Sequence, residues 1–185
     1  YRLRDIVEYA VKAFALETYA ITPVTAHLGG RNLVFVCTAP DGGKKVLRIS
    51  ALGDREEESY LAETEFVHYL VQNGAPVADV CASVNGNHVE SCLMEGKTVF
   101  ISVFEYAKGM PLADNGYRYR ENAPLEEYFF NTGKALGKIH QLSKEFEPKH
   151  RRAQYFDRYN MTYIEQLIPD EYADLKAAIA QRLEA

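Results

Sequence analysis

The sequence predicts an α+β protein, in which a lobe made of one antiparallel sheet and a packed helix precedes a lobe made of helices. Three observations support this fold class. Short runs rich in β-branched and aromatic residues, separated by glycine turns, fill residues 20–106. One helical pattern, at residues 55–73, interrupts these runs after the third of them. Beyond Gly109 the strand patterns stop, and longer helical patterns follow.

The first part of the chain predicts one helix and a three-stranded antiparallel meander. Apolar residues recur on one stripe of residues 3–16, which is typical of an amphipathic helix. The runs that favour strands lie at residues 20–28, 32–38 and 45–50. Glycine turns at residues 28–32 and 41–43 separate them, and connections this short join antiparallel neighbours.

The rest of the chain predicts a second helix, three further strands and the helices of the second lobe. The helix at residues 55–73 should end at Gly74, since glycine is favoured just after a helix. Hairpin turns are predicted at residues 85–87 and 95–97, between strands near 79–84, 88–94 and 98–106. Beyond a polar loop at residues 111–122, helices are predicted at residues 124–146, 160–168 and 170–185. The first of these carries a mostly apolar stripe that runs from Tyr128 to Leu142. The last of these has no stop signal, so we expect the polypeptide to continue.

Composition and charge narrow the classes of function. A net charge of −5 argues against a general affinity for nucleic acid or for anionic membranes. No apolar run approaches the roughly 18 residues of a membrane-spanning helix, so we expect no membrane partner. Three cysteines without a metal-binding spacing predict reduced thiols in a cytoplasmic protein.

Residues 44–109 carry the pattern of a kinase-type nucleotide site. Arg48 lies on a predicted strand, Glu63 lies on the helix that follows, and an apolar strand then runs into the linker 104–109. In such sites a cationic side chain on a strand binds the phosphates, and a carboxylate on a helix pairs with that cation. The backbone of the linker hydrogen-bonds to adenine. Taken singly, Arg48 is also compatible with an outward-facing strand residue, and Glu63 with a solvated helix face.

Two further features leave alternatives open. Gly29 and Gly30 could let backbone N–H groups approach a phosphate, or they could be ordinary hairpin residues. His140 lies on a mostly apolar helix face, where a hydrogen-bonded core histidine is the interpretation favoured over catalysis.

Taken together, these stretches resemble the aminoglycoside phosphotransferase family, which also contains choline-kinase-like and homoserine-kinase-type enzymes. The similarity covers about residues 5 to 145, and the matching stretches are 28–32, 46–49, 62–70, 74–77, 103–109 and 136–142. The resemblance implies a protein-kinase-like N-terminal lobe over residues 1–106. It implies that residues 107–185 hold the linker and the beginning of a helical C-terminal lobe.

The resemblance also implies roles for single residues. Arg48 matches the phosphate-binding strand cation, and Glu63 matches its helix partner. The backbone groups of Glu105 and Ala107, with Tyr106 between them, match the linker positions that bind adenine. The loop over the phosphates corresponds to Gly29, Gly30 and Asn32. His140 matches a family histidine whose role is structural.

One expected segment does not occur in the sequence. Family members carry a later H-G-D-x-x-x-x-N loop, whose Asp acts on the acceptor hydroxyl and whose Asn binds magnesium. We therefore expect no catalytic residue and no metal ligand within these 185 residues. The expectation is an ATP- and Mg²⁺-dependent kinase for the hydroxyl group of a small molecule, seen as its N-terminal portion. A pseudokinase-like nucleotide-binding or regulatory domain, or a protein kinase of the same superfamily, are the alternatives. The acceptor, the choice between ATP and GTP, and the oligomeric state stay open.

Overall fold

The structure is a computed structural model, and it describes residues 3–24, 32–50, 55–109, 114, 124–151, 168 and 170–183. Its helices are α1 (Leu3–Ala13), α2 (Glu57–Gln72), α3 (Leu125–Ser143) and α4 (Ala173–Leu183), with a 3₁₀ turn at Asp170–Tyr172. Its strands are β1 (Ala20–Pro23), β2 (Asn32–Thr38), β3 (Lys44–Ser50), β4 (Val80–Cys81), β5 (Glu90–Met94) and β6 (Lys97–Glu105).

The chain divides into two compact units, residues 1–151 and residues 152–185. The first unit holds the sheet and the helices α1 to α3, and the second holds the 3₁₀ turn and α4. The sequence predicted a different division, after residue 106, between a kinase-like lobe and the start of a helical lobe. The two compact units do not test that division, which stays a prediction. The helix predicted at residues 160–168 and the glycines Gly29 and Gly30 lie outside the described residues.

A six-stranded antiparallel sheet in the order β1-β2-β3-β6-β4, with β5 also on β6, forms the centre of the first unit. The predicted meander is confirmed, since β1 pairs with β2 and β2 pairs with β3. The turn between β2 and β3 closes where Gly43 N donates to Asp41 Oδ1 at 2.9 Å. Gly42 has a φ of 88° in this turn, a conformation that favours glycine.

The two predicted hairpins after α2 have different outcomes. Glu95 and Gly96 join β5 to β6 with φ values of 47° and 79°, as a type I′ turn requires. The hairpin predicted at residues 85–87 is wrong, because β4 and β5 both pair with β6 and do not pair with each other. The intervening loop folds around Glu90 instead. Its carboxylate accepts hydrogen bonds from Ser83 Oγ at 2.6 Å and from Asn87 Nδ2 at 3.2 Å.

The main core lies between α1 and one face of the sheet. Its buried members include Ile6, Ala10 and Phe14 from the first helix and turn, and Leu47, Ile49, Ile101 and Val103 from the central strands. Because side chains alternate across a strand, residues 46, 48 and 50 of β3 lie on the opposite face. The core therefore places Arg48 away from α1.

Helix α2 covers that opposite face. The Tyr60 ring packs on the Phe100 ring of β6, with 5.0 Å between their centroids. The helix ends as predicted, because Gly74 has a φ of 76° and donates from its N–H to Val71 O. Ala75 N also bonds to Leu70 O, and the two bonds together form a Schellman motif.

Helix α3 departs from its prediction within the described residues. Its predicted apolar stripe is buried only at Leu142, which packs with Leu70 of α2, whereas Phe129 is 66% exposed and Leu136 is 51% exposed. His140 is also exposed, so its interpretation as a core histidine is wrong. The physical reason for this exposure is that only the C-terminal end of α3 contacts α2 among the described residues. At that end, Tyr69 Oη donates to Leu142 O at 3.2 Å.

Candidate functional site

The site is built on the face of the sheet that carries Arg48. Leu47 and Ile49 on either side are fully buried in the core, which directs the intervening arginine towards α2. On the neighbouring strand β6, Ser102 is the register partner of Arg48. The guanidinium carbon lies 4.8 Å from the centroid of the Phe104 ring, within cation–π range. The aromatic ring thus supports the flat guanidinium group.

Arg48 and Glu63 form an ion pair across the interface between β3 and α2. Arg48 Nη1 donates to Glu63 Oε1 at 2.5 Å, and the two side chains are 19% and 22% exposed. A charged hydrogen bond this far from solvent is screened less than a surface pair. The structure therefore brings together the two side chains that the sequence singled out.

The second terminal nitrogen of Arg48 differs from the first. Within the part of the chain that the structure describes, Nη2 is buried and makes no hydrogen bond. Leaving a buried donor unsatisfied costs about 1–3 kcal/mol, and more when the group is charged. A planar guanidinium matches the oxygens of a phosphate or carboxylate, so this nitrogen is suited to an anionic ligand.

A second arginine, which the sequence reasoning missed, also reaches Glu63. Arg55 Nη1 lies 3.6 Å from Glu63 Oε2, so each carboxylate oxygen faces one arginine. Two guanidinium groups share one carboxylate, which leaves a positive charge for a ligand to neutralise. One signal was available: Arg55 precedes the N-terminus of α2, where the helix macrodipole disfavours a cation.

The linker begins where β6 ends. Glu105, the register partner of Lys45, lies three residues beyond Ser102, the register partner of Arg48. At about 3.4 Å per residue, Glu105 is roughly 10 Å from Ser102 along β6. Glu105 N donates to Asp79 O at 2.8 Å, which ties the linker to the segment before β4. Tyr106 and Ala107 are exposed, and Lys44 Nζ lies 5.4 Å from the Tyr106 ring centroid.

The residues predicted for the loop over the phosphates are only partly described. Asn32 begins β2, and Val34, two residues later, is the register partner of Arg48. Residues two apart on a strand share a face, so Asn32 lies on the same face of the sheet as Arg48. The predicted roles of Gly29 and Gly30 fall outside the described residues and stay predictions.

Neither a metal-binding cluster nor a membrane-spanning helix occurs among the described residues. They contain no group of three or more His, Cys, Asp or Glu side chains that could hold a metal ion. None of the helices in the described ranges is long and apolar enough to cross a membrane.

A sheet with a packed helix, joined by an arginine–glutamate pair and followed by a linker, defines the class as a protein-kinase-like N-terminal lobe. The chain belongs to the phosphotransferase enzyme family (APH), whose sequence model matches residues 24–185. The resemblance seen in the sequence is thereby confirmed. No curated protein sequence matches the chain.

Solved structures share the fold, and three of them illustrate it. Amicoumacin kinase hAmiN, in complex with AMP-PNP, Ca²⁺ and Ami, is 22% identical with a TM-score of 0.73, over 100% of this chain and 54% of its own. A microcompartment-associated aminopropanol kinase is 13% identical with a TM-score of 0.65, over 86% of this chain and 47% of its own. Spectinomycin phosphotransferase APH(9)-Ia, in complex with ADP and spectinomycin, is 8% identical with a TM-score of 0.52, over 100% of this chain and 54% of its own. The chain therefore spans about half the length of these relatives.

Proposed function

We propose that the whole protein is an ATP-dependent kinase that phosphorylates the hydroxyl group of a small molecule, and that this chain supplies its nucleotide-binding lobe. The observation that carries the proposal is the buried Nη2 of Arg48, which bonds to none of the described residues and lies beside the Arg48–Glu63 ion pair. Membership of the phosphotransferase family supports it. The three solved relatives are named as kinases or phosphotransferases for small molecules, which supports the choice of acceptor class.

Each residue of the site has a role in this proposal. Arg48 binds phosphate oxygens through Nη2, which no described residue bonds and which must be uncovered for the ligand. Glu63 holds the guanidinium group in place through Nη1. Arg55 adds positive charge on the other side of the carboxylate. Such a site works mainly by positioning the phosphates and by neutralising their charge. Because Arg48 is already oriented before the nucleotide arrives, little side-chain entropy is lost on binding.

The remaining parts of the proposal rest on the family resemblance. The backbone of Glu105, Tyr106 and Ala107 binds adenine, and Gly29, Gly30 and Asn32 cover the phosphates. Mg²⁺ bound with the nucleotide would supply charge neutralisation for the transferred group. The acceptor is a small hydroxyl compound of the cytoplasm. The free thiols of Cys37, Cys81 and Cys92 suit a reducing compartment.

The test is the affinity of the intact protein for AMP-PNP with Mg²⁺, measured by titration calorimetry before and after Arg48→Ala. A hydrogen bond to a charged group contributes about 1.5–3 kcal/mol, which corresponds to a loss of roughly 10- to 150-fold in affinity. Arg4→Ala is the matched control, because Arg4 is an exposed arginine of α1 that pairs with Glu8. Unchanged AMP-PNP affinity in the Arg48→Ala protein would overturn the assignment.

A further inference from the structure

The segment after α3 is bonded to helix α2 through its backbone. Lys149 N and His150 N donate to the Glu65 carboxylate, each at 3.0 Å, and Arg151 N donates to Glu58 Oε1 at 3.0 Å. Consecutive backbone N–H groups, which otherwise need partners, are thus satisfied by two side chains of one helix. These contacts join residues 84 to 93 positions apart in the sequence.

Aromatic contacts continue the same attachment towards the C-terminal end of α2. The Phe146 ring lies 5.0 Å from the Phe66 ring and 4.9 Å from the Tyr69 ring, measured between centroids. Residues 146–151, which we call the strap, therefore run along α2 from Tyr69 back to Glu58. The strap and α2 both belong to the first compact unit.

The carboxylates hold the far end of the strap. Lys149 and His150 line a cavity of about 470 Å³ together with Thr64 and His68 of α2, so apolar contacts do not fill the space beneath them. His150 Nδ1 lies 3.3 Å from Glu58 Oε2. The Arg151 N–H and then the His150 side chain lower the pKa of Glu58 below its ordinary value. The ionised carboxylate is therefore the form that the strap binds.

The strap and the arginine pair hold α2 from opposite sides. At about 100° per residue, Glu58 and Glu65 lie within roughly 20° of each other around the helix axis, whereas Glu63 lies about 160° away from Glu65. A helix moves as a rigid body over this length. A rotation or shift that loosens the strap must therefore also move the Glu63 carboxylate relative to Arg48.

We infer that Glu58 and Glu65 are positioning residues, which bind the strap and so hold α2 where Glu63 orients Arg48 for a phosphate. The inference rests on the proposed function, because the pair that they position is the phosphate-binding pair. Neither carboxylate touches the nucleotide in this scheme. Their effect reaches the site only through the fraction of molecules in which α2 is correctly placed, and apparent affinity scales with that fraction.

A double-mutant cycle tests the inference on the intact protein, with AMP-PNP and Mg²⁺ as the probe. Glu65→Ala should weaken binding by roughly two- to thirtyfold, the range for residues that modulate coupling between sites. In a Glu63→Ala background the same change should have almost no effect, because the side chain to be positioned is absent. Glu56→Gln is the control, since Glu56 is an exposed carboxylate at the N-cap of α2 that makes no side-chain capping hydrogen bond. Equal losses in both backgrounds, or no loss in the wild-type background, would refute the positioning role.

Hydrogen exchange of the nucleotide-free protein separates this inference from the proposed function. Glu65→Ala should speed exchange of the backbone amides of α2 and of residues 149–151, whereas Glu56→Gln should not. Unchanged exchange overturns the strap inference even if Arg48→Ala abolishes nucleotide binding. Faster exchange together with full binding by Arg48→Ala keeps the strap as an anchor of α2 but overturns both the nucleotide site and the positioning role. Glu65→Gln retains one acceptor oxygen, and it replaces Glu65→Ala throughout if the alanine protein does not fold.

Discussion

Replacing Glu63 with glutamine tests how strongly the ion pair stabilises the fold. The substitution keeps the shape of the side chain but removes the charge that lies between Arg48 and Arg55. Hydrogen bonds to charged groups contribute about 1.5–3 kcal/mol, and partial exposure of both side chains, near one fifth, reduces that figure. We therefore expect a loss of about 1–2 kcal/mol, which also includes the cost of two arginines facing each other without a counter-charge.

The assay is urea unfolding of the intact protein, followed by circular dichroism. The midpoint should fall while the slope stays constant, because the change alters stability rather than the surface exposed on unfolding. A loss of 1–2 kcal/mol lowers the melting temperature of a domain of 150–250 residues by about 2–8 °C, and it lowers that of a longer protein by less. Glu8→Gln is the matched control, because it breaks the exposed Arg4–Glu8 pair of α1 and should leave the midpoint unchanged.

Two results would refute this reasoning. A midpoint that Glu63→Gln leaves unchanged would mean that desolvation of the pair cancels its attraction. A cycle that combines Glu63→Gln with Arg48→Met and finds additive effects would mean that the two side chains are not coupled.

Three other outcomes follow from particular residues. Gly74→Ala should destabilise the protein by about 1–2 kcal/mol, because Gly74 has a φ of 76°. Gly133→Ala in α3 should stabilise it by up to about 1 kcal/mol, because the space around the Cβ position is open. The midpoints of urea unfolding check both changes. Although burial raises the pKa of Glu90, hydrogen bonds from Ser83, Asn87, Asn85 and Tyr9 bring it below the ordinary value. Glu90 therefore stabilises the fold above its unfolded-state pKa and loses that contribution as the pH falls through its folded-state pKa. In the Glu90→Gln protein, the free energy of unfolding should therefore fall less steeply as the pH is lowered. An equally steep fall would contradict this role of Glu90. Burial raises the pKa of the Cys37 thiol, so iodoacetamide at pH 7.5 should label it far more slowly in the folded than in the urea-unfolded protein, as followed by mass spectrometry.

The sequence could predict the features that depend on local geometry. The alternation of β3 places Leu47 and Ile49 on one face and Arg48 on the other, so the core itself directs the arginine. The turns at Gly42 and Gly96 both need a positive φ, and the glycine residues in the sequence predicted them. These features depend on neighbours within a few residues, which is the range that sequence patterns report.

The features that were missed depend on which elements meet in space. The Asn85–Asn87 turn looks like a hairpin turn, yet Glu90 binds the loop polar groups while the strands on either side pair with β6. Nothing local reveals that choice, since Asn-Gly turns also occur inside loops. Burial of the α3 stripe likewise depends on what packs against it, and among the described residues only its C-terminal end meets α2.

The glutamates of α2 show why residue type alone could not identify the site. Glu57, Glu58, Glu63 and Glu65 look alike in the sequence, and the helix macrodipole favours only Glu57 and Glu58, which lie in the first turn. Their position around the axis separates them: Glu63 meets the arginines, Glu58 and Glu65 bind the strap, and Glu57 is exposed.

Because one rigid helix carries both attachments, each must affect the other. If the strap increases nucleotide affinity by some factor, then bound nucleotide must stabilise the strap by the same factor, since the coupling between two sites is reciprocal. In the proposed function, an anion bound by Arg48 favours the arrangement in which Glu63 is engaged. In the same arrangement, Glu58 and Glu65 bind residues 149–151. The helix would thus connect occupancy of the site to order in the segment through which the chain leaves its first unit at Arg151.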